Sequence, residues 1–514
     1  MIEAIYEALQ LVLFSPSIWL VILLSAVYGI FLGAIPGLTA TMAVALFVPI
    51  TYWMDPIPAL AAIATMTACA IFAGDIPTTL LRIPGTPASA AYVDDAYAFT
   101  QRGEAGKALG AALTGSVFGG LFGAIILMLL GQQLARVATM FSVVEYFWLY
   151  LLGLSSAVVV SRGPVLKALL GLLIGLLLAT VGLSAVHTEA RFTFGFPQLY
   201  QGISFIPAMI GLFGLSEVIR NAINLGNQPS LDSLPDEKTD QSGRDTFFRR
   251  RIMNPILGVF KKPFELLASR KRDFFRSGII GSVIGMLPGA GADMGSWISL
   301  AASKRSSSNP DQYGKGSLKG ITDATTANNS ALAGTWIPAL VFGIPGDSIT
   351  AIVIGVLLMK NLNPGPDIFI DQPVLVYSIY LAFILANIAL LVVGYVAIKT
   401  GRFVFKIPQK VLLPLILIFC IIGSYAIQGS YFDVGIMLFM GFLGFVLERW
   451  EIPLGPVVLG IILGGPVEER FIQTLTGSEG IILPFFNRPI AAVLGVGFLI
   501  LWIWTTWRNI KKSN

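Results

Sequence analysis

AGDIPTTLLRIPG, residues 73–85, and AGTWIPALVFGIPG, residues 333–346, are the two stretches on which the reading of this chain turns. Each opens on Ala-Gly and carries Ile-Pro, five further residues, then Ile-Pro-Gly: Ile76-Pro77 with Ile83-Pro84-Gly85, and Ile337-Pro338 with Ile344-Pro345-Gly346. Proline removes a backbone N–H and disrupts the helical hydrogen bond upstream. Pro77, Pro84, Gly85, Pro338, Pro345 and Gly346 are therefore expected to break helices or act as hinges at matched positions in two halves of the chain. Upstream of each lies a Pro-Gly break, GAIPGLTAT at 33–41 and GMLPGAGAD at 285–293, so the same landmarks recur in the same order.

The surroundings of these breaks are those of a membrane protein. Of 514 residues 55% are hydrophobic and only 12% charged, and mean hydropathy is +0.78, whereas a soluble chain carries about 25% charged residues. Apolar runs near the ~20 residues needed to cross a bilayer recur at 9–31, 109–130, 143–160, 165–183, 374–398, 411–427 and 481–504. The fold expected is an all-α polytopic membrane protein. The N-terminus has Glu3 and Glu7 but no basic region, so 9–31 reads as a retained span rather than a signal peptide. Cys69 and Cys420 sit apart in apolar runs and read as inert packing. His187, the single histidine, reads as a solvated loop residue.

The one long polar stretch, 221–276, contains FRRR at 248–251 and SRKR at 269–272, which the positive-inside rule places in the cytoplasm. It divides the chain into a first transmembrane repeat (1–220), a basic connection (221–276), a second repeat (277–400) and C-terminal transmembrane helices (401–514). The connection after the first Pro-Gly helix holds Asp55 and no base, while its counterpart holds Lys304, Arg305, Lys315 and Lys319. Loops after the IPG motifs lean the other way, with Arg102 and Lys107 in the first, and Asp347, Asp367 and Asp371 against Lys360 in the second. Opposite charge points to opposite sides of the membrane, hence to inverted-topology repeats; a parallel repeat with unusual loops is the competing reading. Paired Gly/Pro-broken hydrophobic segments in inverted repeats mark a secondary transporter with its site near the midplane. Backbone groups freed by a break cannot face lipid and are tolerated where they line a cavity.

These residues also resemble a known family. GAIPGLTATMAVALFVPITY, RIPGTPASAAYVDDAYAFTQRGEAGKALG, GMLPGAGADMGSWISLAASKR and YGKGSLKGITDATTANNSALAGTWIPALVFGIPGDS are similar to the large membrane subunit of the tripartite tricarboxylate transporters, over about 29–371. The resemblance implies a permease of the bacterial inner membrane that works with a small membrane subunit and an extracytoplasmic solute-binding protein. It implies uptake of an organic di- or tricarboxylate driven by an ion gradient, Na⁺ or H⁺, without other cofactors. Ala324-Thr325 stand where the family commonly has Pro-Glu, and Asp75 and Arg82 where neutral residues are common, which points to a distinct substrate preference.

Chemistry assigns the site. Helix N-termini after the Pro-Gly loops, Pro36, Gly37, Leu38, Thr39, Ala40 and Pro288, Gly289, Ala290, Gly291, Asp293, are expected to hold carboxylate oxygens. Arg82 offers a fork that matches a carboxylate, with Asp75 orienting it and Thr78 nearby; a structural Asp75–Arg82 pair is the plainer alternative. Thr39, Thr41, Asn328, Asn329 and Thr335 offer neutral oxygens for a coupling Na⁺, or else the Asn pair serves only to satisfy broken backbone. An enzyme finds no nucleophile–base pair, metal motif or phosphate loop here; a nucleic-acid or anionic-lipid patch at the basic clusters is a weaker reading than a topology signal, and no nucleic-acid partner is expected. A channel for small anions is the alternative function.

Overall fold

The computed structural model describes residues 2–161, 163–184, 189–223, 265, 268–404 and 409–513. His187 and the Arg cluster at 248–251 lie outside the described residues. The first half runs α1 (Ile2–Leu13), α2 (Pro16–Gly33), α3 (Ala40–Tyr52), α4 (Pro56–Ala73), α5 (Asp75–Leu81), α6 (Val93–Gln101), α7 (Ala105–Ala138), α8 (Val143–Val160), α9 (Val165–Ala179), a two-residue hairpin of β1 (Gly182–Leu183) and β2 (Ala190–Arg191), and α10 (Phe205–Ile223). The second runs α11 (Lys271–Gly285), α12 (Gly291–Arg305), α13 (Leu318–Phe342), α14 (Ser348–Met359), α15 (Pro373–Val404), α16 (Gln409–Gln428), α17 (Tyr431–Arg449), α18 (Leu454–Gly477) and α19 (Pro489–Ser513). Among the described residues nine helical segments are long and apolar enough to cross a bilayer, and the protein is an all-α polytopic membrane protein.

Glycines reveal how the two halves are related, because they let helix backbones touch. A Cβ at Gly29 or Gly33 of α2 would lie 2.3 Å from the carbonyl oxygen of Met66 or Ala70 on α4. In the second half a Cβ at Gly281 or Gly285 of α11 would lie 2.2 or 2.3 Å from the carbonyl oxygen of Ala327 or Ala331 on α13. Contacts that advance together along both helices mean that each pair runs parallel. The second glycine stands three residues before Pro36 in one half and Pro288 in the other. Here the repeat seen in sequence becomes a repeat of packing.

The same contacts fix the relative sense of the halves. Gly115, Gly119 and Gly123 of α7 meet Thr322, Thr326 and Ser330 of α13, so α7 and α13 are parallel. Along α15 the order reverses: Leu113, Gly120 and Gly131 of α7 meet Gly394, Asn387 and Tyr380, so α7 and α15 are antiparallel. Finally α15 follows α4 in parallel, with Ala382 packed near Ala61 and Gly394 against Phe72. Thus α2, α4 and α15 run one way, and α11, α13 and α7 the other. The repeats are inverted. One membrane face gathers Arg102, Lys107, Lys167, Arg270, Lys315 and Lys319 at helix ends; we call it the basic face.

The exchange continues past residue 400. Gly175 of α9 lies on Val457 of α18 and Gly464 on Ala179, a parallel pair, and Gly211 and Leu215 of α10 lie on Met437 and Gly441 of α17, another. α8–α10 therefore have counterparts in α16–α18. α3 and α14, of 13 and 12 residues, extend only about 20 Å at 1.5 Å per residue and fall short of a ~30 Å hydrocarbon layer. They are half-helices that begin at the breaks.

Candidate functional site: a cavity between four helix breaks

Each break is shaped by its local sequence. Gly37 and Gly289 adopt φ of 89° and 77°, the left-handed region that favours glycine. After Pro36-Gly37 the chain re-enters helix at Thr39, whose hydroxyl accepts from the Met42 N–H. After Pro288-Gly289 it re-enters at Gly291 with Ala290 as the cap, a side chain that offers no acceptor. The IPG breaks also match: the N–H groups of Ile83 and Ile344 donate to the carbonyls of Pro77 and Pro338. Arg82 and Gly343 occupy the same left-handed capping position, at φ 58° and 66°.

Polar side chains tie the breaks to their neighbours. Asn221 Nδ2 donates to the Gly37 carbonyl at 3.1 Å, and Ser156 Oγ to the Pro288 carbonyl at 2.6 Å. The Gly289 N–H donates to the Gly346 carbonyl at 2.9 Å. Across the halves, Asp293 accepts from the Ala88 N–H at 3.1 Å while Trp297 Nε1 donates to the Pro87 carbonyl at 3.1 Å. Thr78 closes its own loop, donating to Gly74 and accepting from the Gly85 N–H.

The breaks meet at a cavity of about 340 Å³. Thr39, Ala40 and Thr41 line it from the first Pro-Gly break, Gly291, Ala292 and Asp293 from the second, Thr86 and Pro87 from the first IPG loop, and Asp347, Ser348 and Ile349 from the second. The remaining wall is Ile71, then Leu212, Phe213, Ser216, Glu217 and Arg220 of α10, and Glu448 of α17. Residues 210–215 of α10 form a π-helical turn, an extra residue per turn that rotates the side chains after it and that occurs frequently at functional sites.

Arg220 is the cavity's single cationic lining residue among the described residues. It is paired with the buried Glu217 and lies 3.6 Å from Glu448. Glu217 also accepts from Asn221 Nδ2 at 2.8 Å, so one chain of polar contacts runs from Arg220 through Glu217 and Asn221 to the first Pro-Gly break. The three helix N-termini differ. Asp347 caps α14 in a capping box with Thr350, which fills that end with a carboxylate of the chain itself. α12 has no side-chain cap, leaving its first N–H groups and positive dipole end for an anion.

The structure brings together part of the residue set expected from sequence. Thr39, Ala40, Thr41, Gly291 and Asp293 line the cavity, with Pro36, Gly37, Leu38, Pro288, Gly289 and Ala290 forming the adjacent turns. Arg82 is not in the cavity. Its side chain is 61% exposed and bonds Asp94 at 2.7 Å, and no Asp75–Arg82 pair exists: Asp75 is buried and accepts from Tyr92 OH at 2.6 Å. The reason is the left-handed turn at Arg82, which ends α5 and sends the side chain outward. Asn328 and Asn329 lie buried within α13 rather than in the cavity lining, with Asn328 Oδ1 and both polar atoms of the Asn329 amide unbonded. Thr335 donates to Leu332 in its own helix and packs under Gly346. Sequence reasoning missed Arg220, Glu217 and Glu448. The available signal was SEVIR at 216–220, two charges one turn apart following an apolar run, since intramembrane ionisable residues mark functional sites by default.

Inverted, helix-broken repeats closing on a polar cavity define a multi-pass membrane protein of the transporter class. The sequence matches the model of the tripartite tricarboxylate transporter TctA family over residues 19–459. The chain belongs to that family. Two relatives come from Agrobacterium vitis. An uncharacterized 52.8 kDa protein in the TAR-I ttuC' 3' region is 34% identical over 470 residues, 91% of this chain and 89% of the relative. An uncharacterized protein in the TAR-II ttuC' 3' region is 34% identical over 220 residues, 43% of this chain and 91% of the relative. No solved structure matches.

Proposed function

We propose that this chain is the permease subunit of a tripartite, binding-protein-dependent system in a bacterial inner membrane, carrying an organic di- or tricarboxylate by ion-coupled secondary transport. The observation that carries the reading is the placement of Arg220 opposite an uncapped helix N-terminus in one cavity. Before substrate arrives, Glu217 and Glu448 compensate Arg220; a substrate carboxylate takes over the guanidinium, and its other oxygens meet the first turns of α3 and α12. Ion coupling is supported by charge. The lining sets the carboxyl groups of Glu217, Asp293, Asp347 and Glu448 against one guanidinium, so an anion entering without cations meets net repulsion. Na⁺ and H⁺ both supply that compensation. Family membership supports the two partners, a small membrane subunit and an extracytoplasmic binding protein.

Uptake of labelled citrate and succinate into vesicles holding the assembled subunits tests the reading. A hydrogen bond to a charged group contributes about 1.5–3 kcal/mol, so Arg220→Gln raises the half-saturating concentration by at least about 10-fold. Arg220→Lys, which keeps charge but loses the fork, falls between. The double variant Glu217→Gln with Arg220→Gln removes both charges of the pair together, so it leaves no unpaired charge at position 217 and still does not restore uptake. Wild-type half-saturation in Arg220→Gln overturns the assignment.

A further inference from the structure

Two groups of helices are set apart by the repeat: a core of α2–α7 with α11–α15, which holds all four breaks, and a frame of α8–α10 with α16–α18. The repeats make α3 the counterpart of α12 and α8 the counterpart of α16. In a symmetric molecule α8 would touch α12 where α16 touches α3. It does not. Ser156 and Ala157, at the basic end of α8, meet the break itself: Ser156 Oγ bonds the Pro288 carbonyl at 2.6 Å, and a Cβ on Gly289 would lie 2.3 Å from Ala157. On α16 the matching position meets the far end of its half-helix, for a Cβ on Gly423 would lie 2.5 Å from Pro49. The match between α8 and α16 follows from their shared neighbours. Gly211 lies over the Met437 carbonyl as Gly460 lies over that of Leu172, which equates α10 with α18. Cys420 touches Gly214 as Gly153 touches Leu463, which sets Ser156 opposite Gly423 to within one helical turn.

Twelve residues separate Gly37 from Pro49 on one half-helix and Gly289 from Ala301 on the other. Both contacts are displaced in the same sense. α3 runs from its break to the face opposite the basic one and α12 runs from its break to the basic face, so each frame helix touches a core residue that a shift of the core toward the basic face would bring to it. A hinge-like rocking of two bundles predicts something else, close contact at one end of the cavity and a gap at the other. Here both interfaces are packed at van der Waals distance, in different registers.

We infer that the core slides as a rigid body along the frame, that this structure holds its end position at the basic face, and that the other end position lies about 18 Å away, twelve residues at 1.5 Å each. The inference rests on the carrier reading, and it names that carrier's motion. Such a slide moves the four breaks through more than half of a ~30 Å hydrocarbon layer and leaves behind the wall that α10 and α17 supply, Arg220 included. In the far position the contacts exchange by symmetry: Gly423 faces Pro36 and Gly37, and Ser156 faces Ala301. In the present position Ala301 is exposed.

Cysteine cross-linking reads this directly, in membrane vesicles of the full chain with Cys69 and Cys420 replaced by alanine. The pair Pro49→Cys with Gly423→Cys reports the position seen here and is expected to link. The pair Ser156→Cys with Ala301→Cys reports the far position. It too is expected to link, with citrate or succinate uptake halted until a reductant is added. Failure of the 156–301 pair to link, in vesicles that still take up carboxylate and whose 49–423 pair links, overturns the slide. Linking of both pairs without uptake of any carboxylate leaves the slide standing and removes the carboxylate reading instead.

Discussion

At the scale of single residues, prominence in the sequence and weight in the structure did not coincide. Arg82 was conspicuous because it lay inside a motif, yet the backbone decided its fate: in a left-handed position it caps α5 and points to an exposed partner, Asp94. An exposed pair contributes about 0–1 kcal/mol, while a left-handed non-glycine residue costs about 1–2 kcal/mol. Arg82→Gly, which copies Gly343, is therefore expected to leave uptake unchanged and not to lower Tm in a detergent melt; a clear loss of transport would return Arg82 to the site. Asp95 is the opposite case, unremarked in sequence and central in structure. Its Oδ1 accepts from the N–H groups of Gly314, Gly316 and Ser317 at 2.8, 2.9 and 2.8 Å, pinning α6 to the start of α13. Buried unsatisfied donors cost about 1–3 kcal/mol, so Asp95→Ala is expected to lower stability by about 3 kcal/mol, read as a Tm drop and increased proteolysis near residue 314. Arg220 escaped notice for a different reason. Its role depends on which way α10 faces, and the π turn that sets that rotation leaves no mark in the residue pattern.

Most long apolar helices were legible as apolar runs, α4, α10 and α17 being exceptions; the crowding of helices was not. Hydropathy gives no span at α11 or α13, and the pairing of α2 with α4 and of α11 with α13 is a property of glycine spacing, four residues apart and matched to a neighbour's carbonyls. Small residues let transmembrane backbones approach closely. Gly33→Ala and Gly285→Ala must push a carbonyl aside, and overpacking of this kind costs about 1–3 kcal/mol. Gly435 of α17 has open space where its Cβ would go, so Gly435→Ala is expected to gain about 0.5–1 kcal/mol from helix propensity alone. Melting curves of the three variants check the contrast. Equal losses at all three positions would mean that the glycines act through flexibility and not through contact. The breaks at Pro36-Gly37, Pro84-Gly85, Pro288-Gly289 and Pro345-Gly346 were readable element by element, whereas Pro77 and Pro338, expected to break their helices, stay within α5 and α13; where the four breaks converge is a matter of tertiary packing.

For the whole molecule, the inverted repeat was visible in sequence as two ordered sets of breaks with oppositely charged loops. The structure adds the sense of each helix, through contacts that advance or reverse along their length. The C-terminal helices carried no motif by which to join the repeat, and only their exchanged pairing with α8–α10 reveals them as counterparts. In the carrier proposed, both repeats supply one carboxylate site. That sharing is tested most directly by substrate protection of two cysteines placed one in each half, Thr86→Cys and Ser348→Cys, both in the cavity lining. In vesicles treated with a hydrophilic thiol reagent, the same carboxylate is expected to slow labelling at both positions with the same half-protecting concentration, and Arg220→Gln to shift both curves together by about 10-fold or more. Protection confined to one position, or indifferent to Arg220→Gln, would contradict a shared site.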